Sequence, residues 1–443
     1  MLFRSNGDGE IVQLLVAHGA DVEAKDGTMM TALHYACEEG HLEAMQILLE
    51  SRATIDARGR DRKTPLICAA EAGRTQAVEF LLKRRASLRD LDDGDMTALH
   101  WAAYNGHEDI VRILSEKKGL LDMVNRMGRT ALHLAVIQSQ FAIVEFLQRK
   151  KVPLEIRCHT GLTALHYACM ADSFEITRLL LLANADVEAV EAQNQERPLH
   201  IVAGRGSVFL LDLLCDKRAA LDARNKLGDR PLDVACRFGH VDVAKKLLDR
   251  GSTLGLKVGT WPLCLAAMGG HRHLASLLLE RGASPVKEDD AGWQPIRCAV
   301  YYGQPDVLHL FLTSGKMRDA DIAKIIDMPD TIGFSPGVPE DRMHQVQQLI
   351  NQAFSQSLQR PVMSNPLDLE YGISQVESQR NSLSSPFMPP PVQQQMVPAP
   401  VEADSSTQVE LPGNLDREIP SHVGSLNTSP RTATPESRPP NQH

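Results

Sequence analysis

The sequence predicts an all-α solenoid of stacked helix pairs followed by a disordered tail. Three observations carry this. A short phrase recurs as Thr31-Ala-Leu-His-Tyr-Ala36, Thr64-Pro-Leu-Ile-Cys-Ala69, Thr97-Ala-Leu-His-Trp-Ala102, Thr130-Ala-Leu-His-Leu-Ala135 and Thr163-Ala-Leu-His-Tyr-Ala168. It continues in weaker form as Arg197-Pro-Leu-His200, Arg230-Pro-Leu-Asp233, Trp261-Pro-Leu-Cys264 and Gln294-Pro-Ile-Arg297, with steps of 33, 33, 33, 33, 34, 33, 31 and 33 residues. A fixed period of this length means stacked units rather than one closed core. Second, each phrase is followed by an amphipathic stretch. Third, the composition changes after about Arg360, where the chain turns rich in Pro, Ser and Gln.

The elements follow in order within each repeat. The phrase opens a first helix. Gly40-His41, Gly73-Arg74, Gly106-His107 and Gly239-His240 break the chain after it. A second helix is read from Ile11-Val-x-Leu14-Leu15, Ile110-Val-x-Ile113-Leu114, Ile143-Val-x-Phe146-Leu147 and Leu274-Ala-x-Leu277-Leu278. Apolar residues at i, i+3 and i+4 give such a helix one buried stripe. Gly-Ala-Asp from Gly19 or Gly-Ala-Ser from Gly282 then closes it, glycine suiting a left-handed C-cap.

Period and phrase together resemble the ankyrin repeat, whose signature is Thr-Pro-Leu-His-x-Ala at a period of about 33 residues. The resemblance covers roughly residues 10 to 314. It implies a β-hairpin-like finger, two antiparallel helices, then the next finger. Within the phrase, the Thr hydroxyl can cap the first helix, and the His ring can bond both its own turn and the neighbouring repeat. Thr31, His34, Thr97, His100, Thr130, His133, Thr163, His166 and His200 are therefore read as structural. Histidines that recur once per repeat cannot converge on a metal. The phrase decays from Arg197 onward, so the C-terminal repeats are expected to open first.

In the resembled family the variable positions face outward from the fingers and first helices. The finger position before the Thr is Met30, Lys63, Met96, Arg129, Leu162, Glu196, Asp229, Thr260 or Trp293. The two residues before the mid-repeat Gly include Glu71 and Ala72, Tyr104 and Asn105, Ile137 and Gln138, Met170 and Ala171. They continue as Gly204 and Arg205, Arg237 and Phe238, Met268 and Gly269, Tyr301 and Tyr302. Repeats four and five have Ser139 and Asp172 in place of that Gly, so their register rests on spacing. The expected protein-contact residues are Met96, Tyr104, Arg129, Ile137, Leu162 and Met170 centrally, and Phe238, Met268, Trp293, Tyr301 and Tyr302 toward the C-terminus. Clustered Trp, Tyr, Phe and Met are hot-spot material; packing against adjacent fingers is the alternative. Finger charges alternate in sign, Arg58, Arg60, Arg62 and Lys63 before Asp90, Asp92, Asp93 and Asp95, then Arg126 and Arg129. They are expected to pair across the stack for solubility and register.

The expected organisation is a truncated half repeat over 1–26, nine full repeats over 27–314, a degenerate finger and capping helix over 315–360, and a tail over 361–443. The first unit starts mid-repeat, either as a poor cap or because further sequence precedes it. Asp330-Thr-Ile-Gly333 resembles a finger, and a short helix is expected over 320–326. Pro339-Glu-Asp341 then starts a helix with Met343, Val346, Ile350, Phe354 and Leu358 on one face. The tail contains Ser385-Pro, Ser429-Pro, Thr434-Pro and Phe387-Met-Pro-Pro-Pro391, weak signals for phosphorylation and polyproline recognition.

Composition narrows the function. A net charge of −9 does not favour nucleic acid, which needs a basic face. No apolar run is long enough for a bilayer, and there is no signal-peptide core. The eight cysteines lie inside the repeats, with Cys37, Cys169 and Cys236 in one equivalent slot, too far apart for bridging. Free thiols imply a reducing compartment, cytoplasmic or nuclear, and no secretion. No phosphate loop, nucleophile elbow, His-Glu-x-x-His or metal spacing occurs, so no enzyme activity and no cofactor are expected. The reading is a monomeric, non-catalytic scaffold or adaptor that binds a protein on its concave face. The alternatives are the recognition part of a larger signalling or receptor protein whose effector lies upstream, and a nuclear regulator resembling the inhibitors of Rel-type transcription factors. Lys83-Arg-Arg85 sits at a helix end and is read as structural, so it does not support the latter.

Overall fold

A computed structural model describes residues 9–117, 119–254, 262–288, 292–318, 321–322, 325 and 333–359. Residue contacts divide the chain into 1–388 and 389–443, and every described residue falls in the first unit. The expectations for residues 1–8, Thr260, Trp261, most of 320–326, Asp330–Ile332, the Leu358 side chain and the 361–443 tail lie outside the described residues.

Helix α1 spans Gly9–Ala17. Nine helix pairs follow among the described residues, each an inner helix and then an outer one. They are α2 Ala32–Glu39 with α3 Leu42–Glu50, α4 Pro65–Glu71 with α5 Thr75–Lys83, and α6 Ala98–Asn105 with α7 Glu108–Ser115. Next come α8 Ala131–Ile137 with α9 Phe141–Arg149, α10 Ala164–Met170 with α11 Phe174–Leu182, and α12 Pro198–Arg205 with α13 Val208–Asp216. The last three are α14 Pro231–Phe238 with α15 Val241–Asp249, α16 Pro262–Met268 with α17 Arg272–Glu280, and α18 Pro295–Tyr301 with α19 Pro305–Thr313. Inner helices pack on inner helices and outer on outer, so the core runs continuously along the stack.

The two helix types differ because their sequences do. In α6 Ala98, Leu99, Trp101, Ala102 and Ala103 are all buried, so the inner helix is enclosed nearly all round. The small side chains let neighbouring inner helices approach closely. Cys37, Cys169 and Cys236 fill the same slot and are fully buried. In α7 only Ile110, Val111, Leu114 and Ser115 are buried, the single stripe of an outer helix. Each such aliphatic side chain contributes about 1.5–3 kcal/mol by burial.

The register of repeats four and five is settled by backbone conformation. Gly40 and Gly106 end their inner helices at φ 82° and 83°, and Ser139 and Asp172 occupy the equivalent slot at φ 55° and 51°. Only the left-handed conformation turns the chain tightly enough into the outer helix, so Ser and Asp are forced into it.

No strand is assigned among the described residues, yet the fingers are hairpin-like. Each tip closes on itself, as when Asn125 N–H donates to the Arg129 carbonyl at 2.9 Å. Adjacent tips are then linked by single backbone bonds. Asp93 N–H reaches the Asp61 carbonyl at 2.8 Å, Arg126 that of Gly94 at 2.9 Å, His159 that of Met127 at 3.0 Å, Ala192 that of Thr160 at 3.0 Å and Lys226 that of Asn194 at 2.7 Å. One bond per repeat is too sparse for a sheet but fixes the spacing of the fingers.

At the first helix the expected stripe is rotated. Ile11 and Leu14 are exposed and Val12 is buried, α3 being the helix that packs most against α1 among the described residues. At the other end α20, Glu340–Gln359, packs on α19, with Val346 and Ile350 buried and Met343 and Phe354 half-buried. The approach is pinned where Ser335 N–H donates to the Tyr301 carbonyl at 2.7 Å. All eight cysteines are free. Burial pushes the Cys68 thiol up to about 12 and those of Cys37 and Cys236 well above the usual thiol range.

Candidate protein-interaction surface

The start of each inner helix sets where its surface residues point. Thr97 is extended at φ −88° and ψ 171°, and its Oγ1 accepts from His100 N–H at 3.3 Å. His100 Nδ1 accepts from Thr97 N–H at 3.1 Å, and its Nε2 faces the Met123 carbonyl of the next finger at 3.0 Å. His34 does the same toward Ala57 and Lys63, and His200 toward Ala223 and Asp229. In His133 and His166 the Nδ1 bond is kept, but Nε2 only faces the next finger's carbonyls without normal hydrogen-bond geometry. Burial lowers all five rings and brings His100, His133 and His200 to about 4. They are neutral joints between repeats.

Repeat seven replaces the Thr–His pair with Arg230 and Asp233. Arg230 N–H and Nε both donate to Asp233 Oδ2 at 2.9 Å, and a terminal nitrogen of Arg230 donates to the Thr253 carbonyl at 2.6 Å. The carboxylate does the work of Nδ1, and the guanidinium makes the bond to the following segment. The loss of Thr and His is therefore chemically compensated at this repeat.

The finger residue before the helix and the residue near its C-terminus meet across the inner-helix face. Lys63 Nζ lies 2.6 Å from Glu71 Oε2 in repeat two. In repeat seven the signs are reversed, Arg237 donating to Asp229. In repeat nine Trp293 and Tyr301 form an edge contact with centroids 5.9 Å apart. The equivalent positions elsewhere are Met96 and Tyr104, Arg129 and Ile137, Leu162 and Met170, and Glu196 and Gly204. In repeats two, seven and nine, the two sets of positions that read in the sequence as independent therefore meet as facing pairs.

This placement corrects two expected contact residues. Met96 is buried, its Sδ accepting from Asn125 Nδ2 at 3.3 Å. Arg129 is buried, its Nε donating to Tyr167 Oη at 3.1 Å and its guanidinium 5.3 Å from that ring's centroid. Both side chains turn toward the next repeat, where the finger leans on the following inner helix, and neither is free for a partner. Tyr104, Ile137, Leu162, Met268, Trp293, Tyr301 and Tyr302 are half-buried, while Met170 and Phe238 are 43% and 41% exposed. Tyr104 stacks edge-on to Trp101 at 6.1 Å, and Tyr301 to Tyr302 at 5.1 Å. Inner helices pack side by side, about 8–10 Å apart. Tyr104, Ile137 and Met170, at equivalent positions, thus form one apolar row, and Phe238, Met268, Tyr301 and Tyr302 another.

The exposed aromatic residues of the outer helices do not stand out in the repeat phrase. Phe141, Phe174 and Phe209 are 40%, 40% and 75% exposed at the starts of outer helices. Their offset from the i, i+3, i+4 stripe was the available signal. Trp101 Nε1 donates to Asp92 Oδ2 at 2.7 Å, tying finger to helix within one repeat. The finger charges pair across the stack, Arg58 with Asp90 at 2.7 Å, Arg126 with Asp95 at 3.6 Å and Arg62 with Asp93 at 4.0 Å. Exposed pairs of this kind contribute about 0–1 kcal/mol. Among the described residues no His, Cys, Asp and Glu side chains gather as a metal-binding group, and no helix is long and apolar enough to cross a membrane.

Comparison with known families agrees with this architecture. A profile of ankyrin repeats in three copies matches residues 1–92, 55–120, 84–157, 119–191 and 165–258, and a second ankyrin-repeat profile matches residues 263–312. No curated protein matches the chain. Ankyrin repeats mediate protein–protein interaction and are typically non-catalytic. With matched repeats over most of its length and a helix-pair stack to go with them, this chain belongs to the ankyrin repeat family.

Proposed function

We propose that the chain is a non-catalytic, monomeric scaffold or adaptor that holds a protein segment along its inner-helix face, the concave face of this family. The supporting observation is the set of partly exposed apolar side chains near the C-terminal ends of the inner helices. Tyr104, Ile137 and Met170 hold one equivalent position on three successive helices, Met268 and Tyr301 hold it in repeats eight and nine, and Phe238 and Tyr302 stand one residue later in theirs. A pre-formed row limits the ordering cost of binding. The free, mostly buried thiols fit a cytoplasmic or nuclear setting.

The test is affinity capture from native lysate with the wild-type chain and the triple variant Tyr104→Ala/Met170→Ala/Tyr302→Ala, both of equal helicity by circular dichroism. A protein captured by the wild type and lost by the variant supports the reading. Identical capture by both rules out this face.

A further inference from the structure

The C-terminal ends of the outer helices carry a charge pattern that changes along the stack. In repeats two, three and four they present Lys83, Arg84 and Arg85, then Glu116 and Lys117, then Arg149, Lys150 and Lys151, all of them exposed. Outer helices α5, α7 and α9 pack side by side, so the three clusters lie in line on the outer side of the stack. At about 8–10 Å between neighbouring helices the line is about 20 Å long. Among the described residues Arg149 is the only one of these cations in an ion pair, with Glu145 of its own helix at 2.7 Å. In a chain of net charge −9 this is a concentrated positive strip.

Later repeats treat the same edge differently. Arg250 and Arg281, at the positions of Arg84, Lys117 and Lys150, pair with Asp216 and Asp249 of the preceding outer helix at 2.8 and 2.7 Å. Of the acids near the earlier edge, Glu50 accepts from Gln46 at 2.8 Å, and Glu50, Glu79 and Glu116 form no ion pair among the described residues. Arg84 instead lies 3.9 Å over the Phe80 ring, and Lys150 5.5 Å from that of Phe146. The rings hold the stems and leave the charged heads to solvent.

The backbone repeats the contrast. Gly251 and Gly282 close their outer helices at φ 102° and 99°, whereas Arg85 and Lys151 occupy the same slot at 65° and 57°. Basic side chains are kept there at a conformational cost that glycine avoids. One cation per helix would answer the negative end of the helix dipole; three on each of two helices exceed that need.

We propose that this edge is a second docking surface, and that its occupant is an acidic, extended segment of a protein partner with carboxylates about three residues apart. Three residues of extended chain span about 10 Å, the step between neighbouring outer helices. A nucleic acid duplex or a membrane would reach past the three repeats and meet the net negative remainder of the chain. A short segment meets only charges within about 10 Å. The surface is independent of the inner-helix reading, and with both occupied the chain bridges two protein segments.

The probe is a fluorescein-labelled (Glu-Gly-Ser)4 peptide titrated with the full chain in about 20 mM salt and followed by anisotropy. Arg84→Gln/Lys117→Gln/Lys150→Gln should weaken binding about tenfold. Lys245→Gln/Arg272→Gln/Arg342→Gln, the same charge change at exposed sites elsewhere, should weaken it less than about twofold. Arg85→Gly/Lys151→Gly should weaken binding about threefold while raising the melting temperature, because glycine accepts the positive φ. Gathering the four glutamates into one block should lower the affinity of the wild type. No binding by the wild type, or equal losses in the two triple variants, overturns the docking surface. Equal affinity for the blocked peptide overturns the spacing. Tighter binding of a DNA duplex or of phosphatidylserine vesicles than of the peptide, lost in Arg84→Gln/Lys117→Gln/Lys150→Gln, overturns the acidic segment as occupant.

Discussion

Lys63 and Glu71 close one repeat on itself and also bind the next. Their side chains meet at 2.6 Å, and Lys63 Nζ stands 4.1 Å from the Trp101 ring centroid of the following inner helix. The lysine side chain is only 12% exposed. One finger residue therefore contributes to an intra-repeat pair and to an inter-repeat joint.

That double role gives a measurable coupling. Lys63→Ala and Glu71→Ala each destabilise, and the double-mutant cycle by urea denaturation is expected to give about 0.5–1 kcal/mol of interaction. Lys63→Ala costs a further increment, about 0.5–1 kcal/mol, that depends on the aromatic ring of Trp101. Additive single mutants would mean that the 2.6 Å contact is energetically silent.

Ser139 and Asp172 offer a gain. Both are held at positive φ where other repeats have glycine. Ser139→Gly should stabilise by about 0.5–1 kcal/mol, and Asp172→Gly by less, since Asp tolerates this conformation better than Ser. Thermal melts that do not rise with Ser139→Gly would show that the strain is relaxed elsewhere.

Acid should unfold the array cooperatively. His100, His133 and His200 sit at about 4, below the ordinary 6.5, with burial the first cause. A depressed histidine is stabilising above the unfolded value and loses that contribution as pH falls from 6.5 toward 4, on the order of 3 kcal/mol per ring. Glu196 and Asp229 are shifted up, so their protonation acts in the opposite direction. Five lowered rings, His34 and His166 included, stand against these two carboxylates, and melting temperature should drop across that window. A flat profile from pH 7 to 4.5 would contradict it.

At repeat seven the buried Arg230–Asp233 pair carries the joint. Arg230→Ala leaves Asp233 without its guanidinium and should cost about 3–5 kcal/mol. The double change Arg230→Thr/Asp233→His rebuilds the phrase of the earlier repeats and should recover most of that loss. In hydrogen exchange the wild-type α14 should be protected comparably to α6, with α14 amides opening first in Arg230→Ala. Early opening of every helix from Arg197 onward in the wild type would instead favour simple decay of the phrase.

The sequence determined the repeat period, the helix pairs, the capping role of Thr and the structural role of His, because these depend on neighbours within one turn or on the same slot in the next repeat. It also put Ser139 and Asp172 in the right register by spacing alone. Only the tertiary structure decided which surface positions are free. Met96 and Arg129 turn into the following repeat, and Lys63 and Asp229 are met by Glu71 and Arg237. The reason is geometric: a finger leans on the next inner helix, so exposure at one position is set by residues eight to thirty-eight places further along the chain. No local pattern encodes that distance until the fold brings the two together.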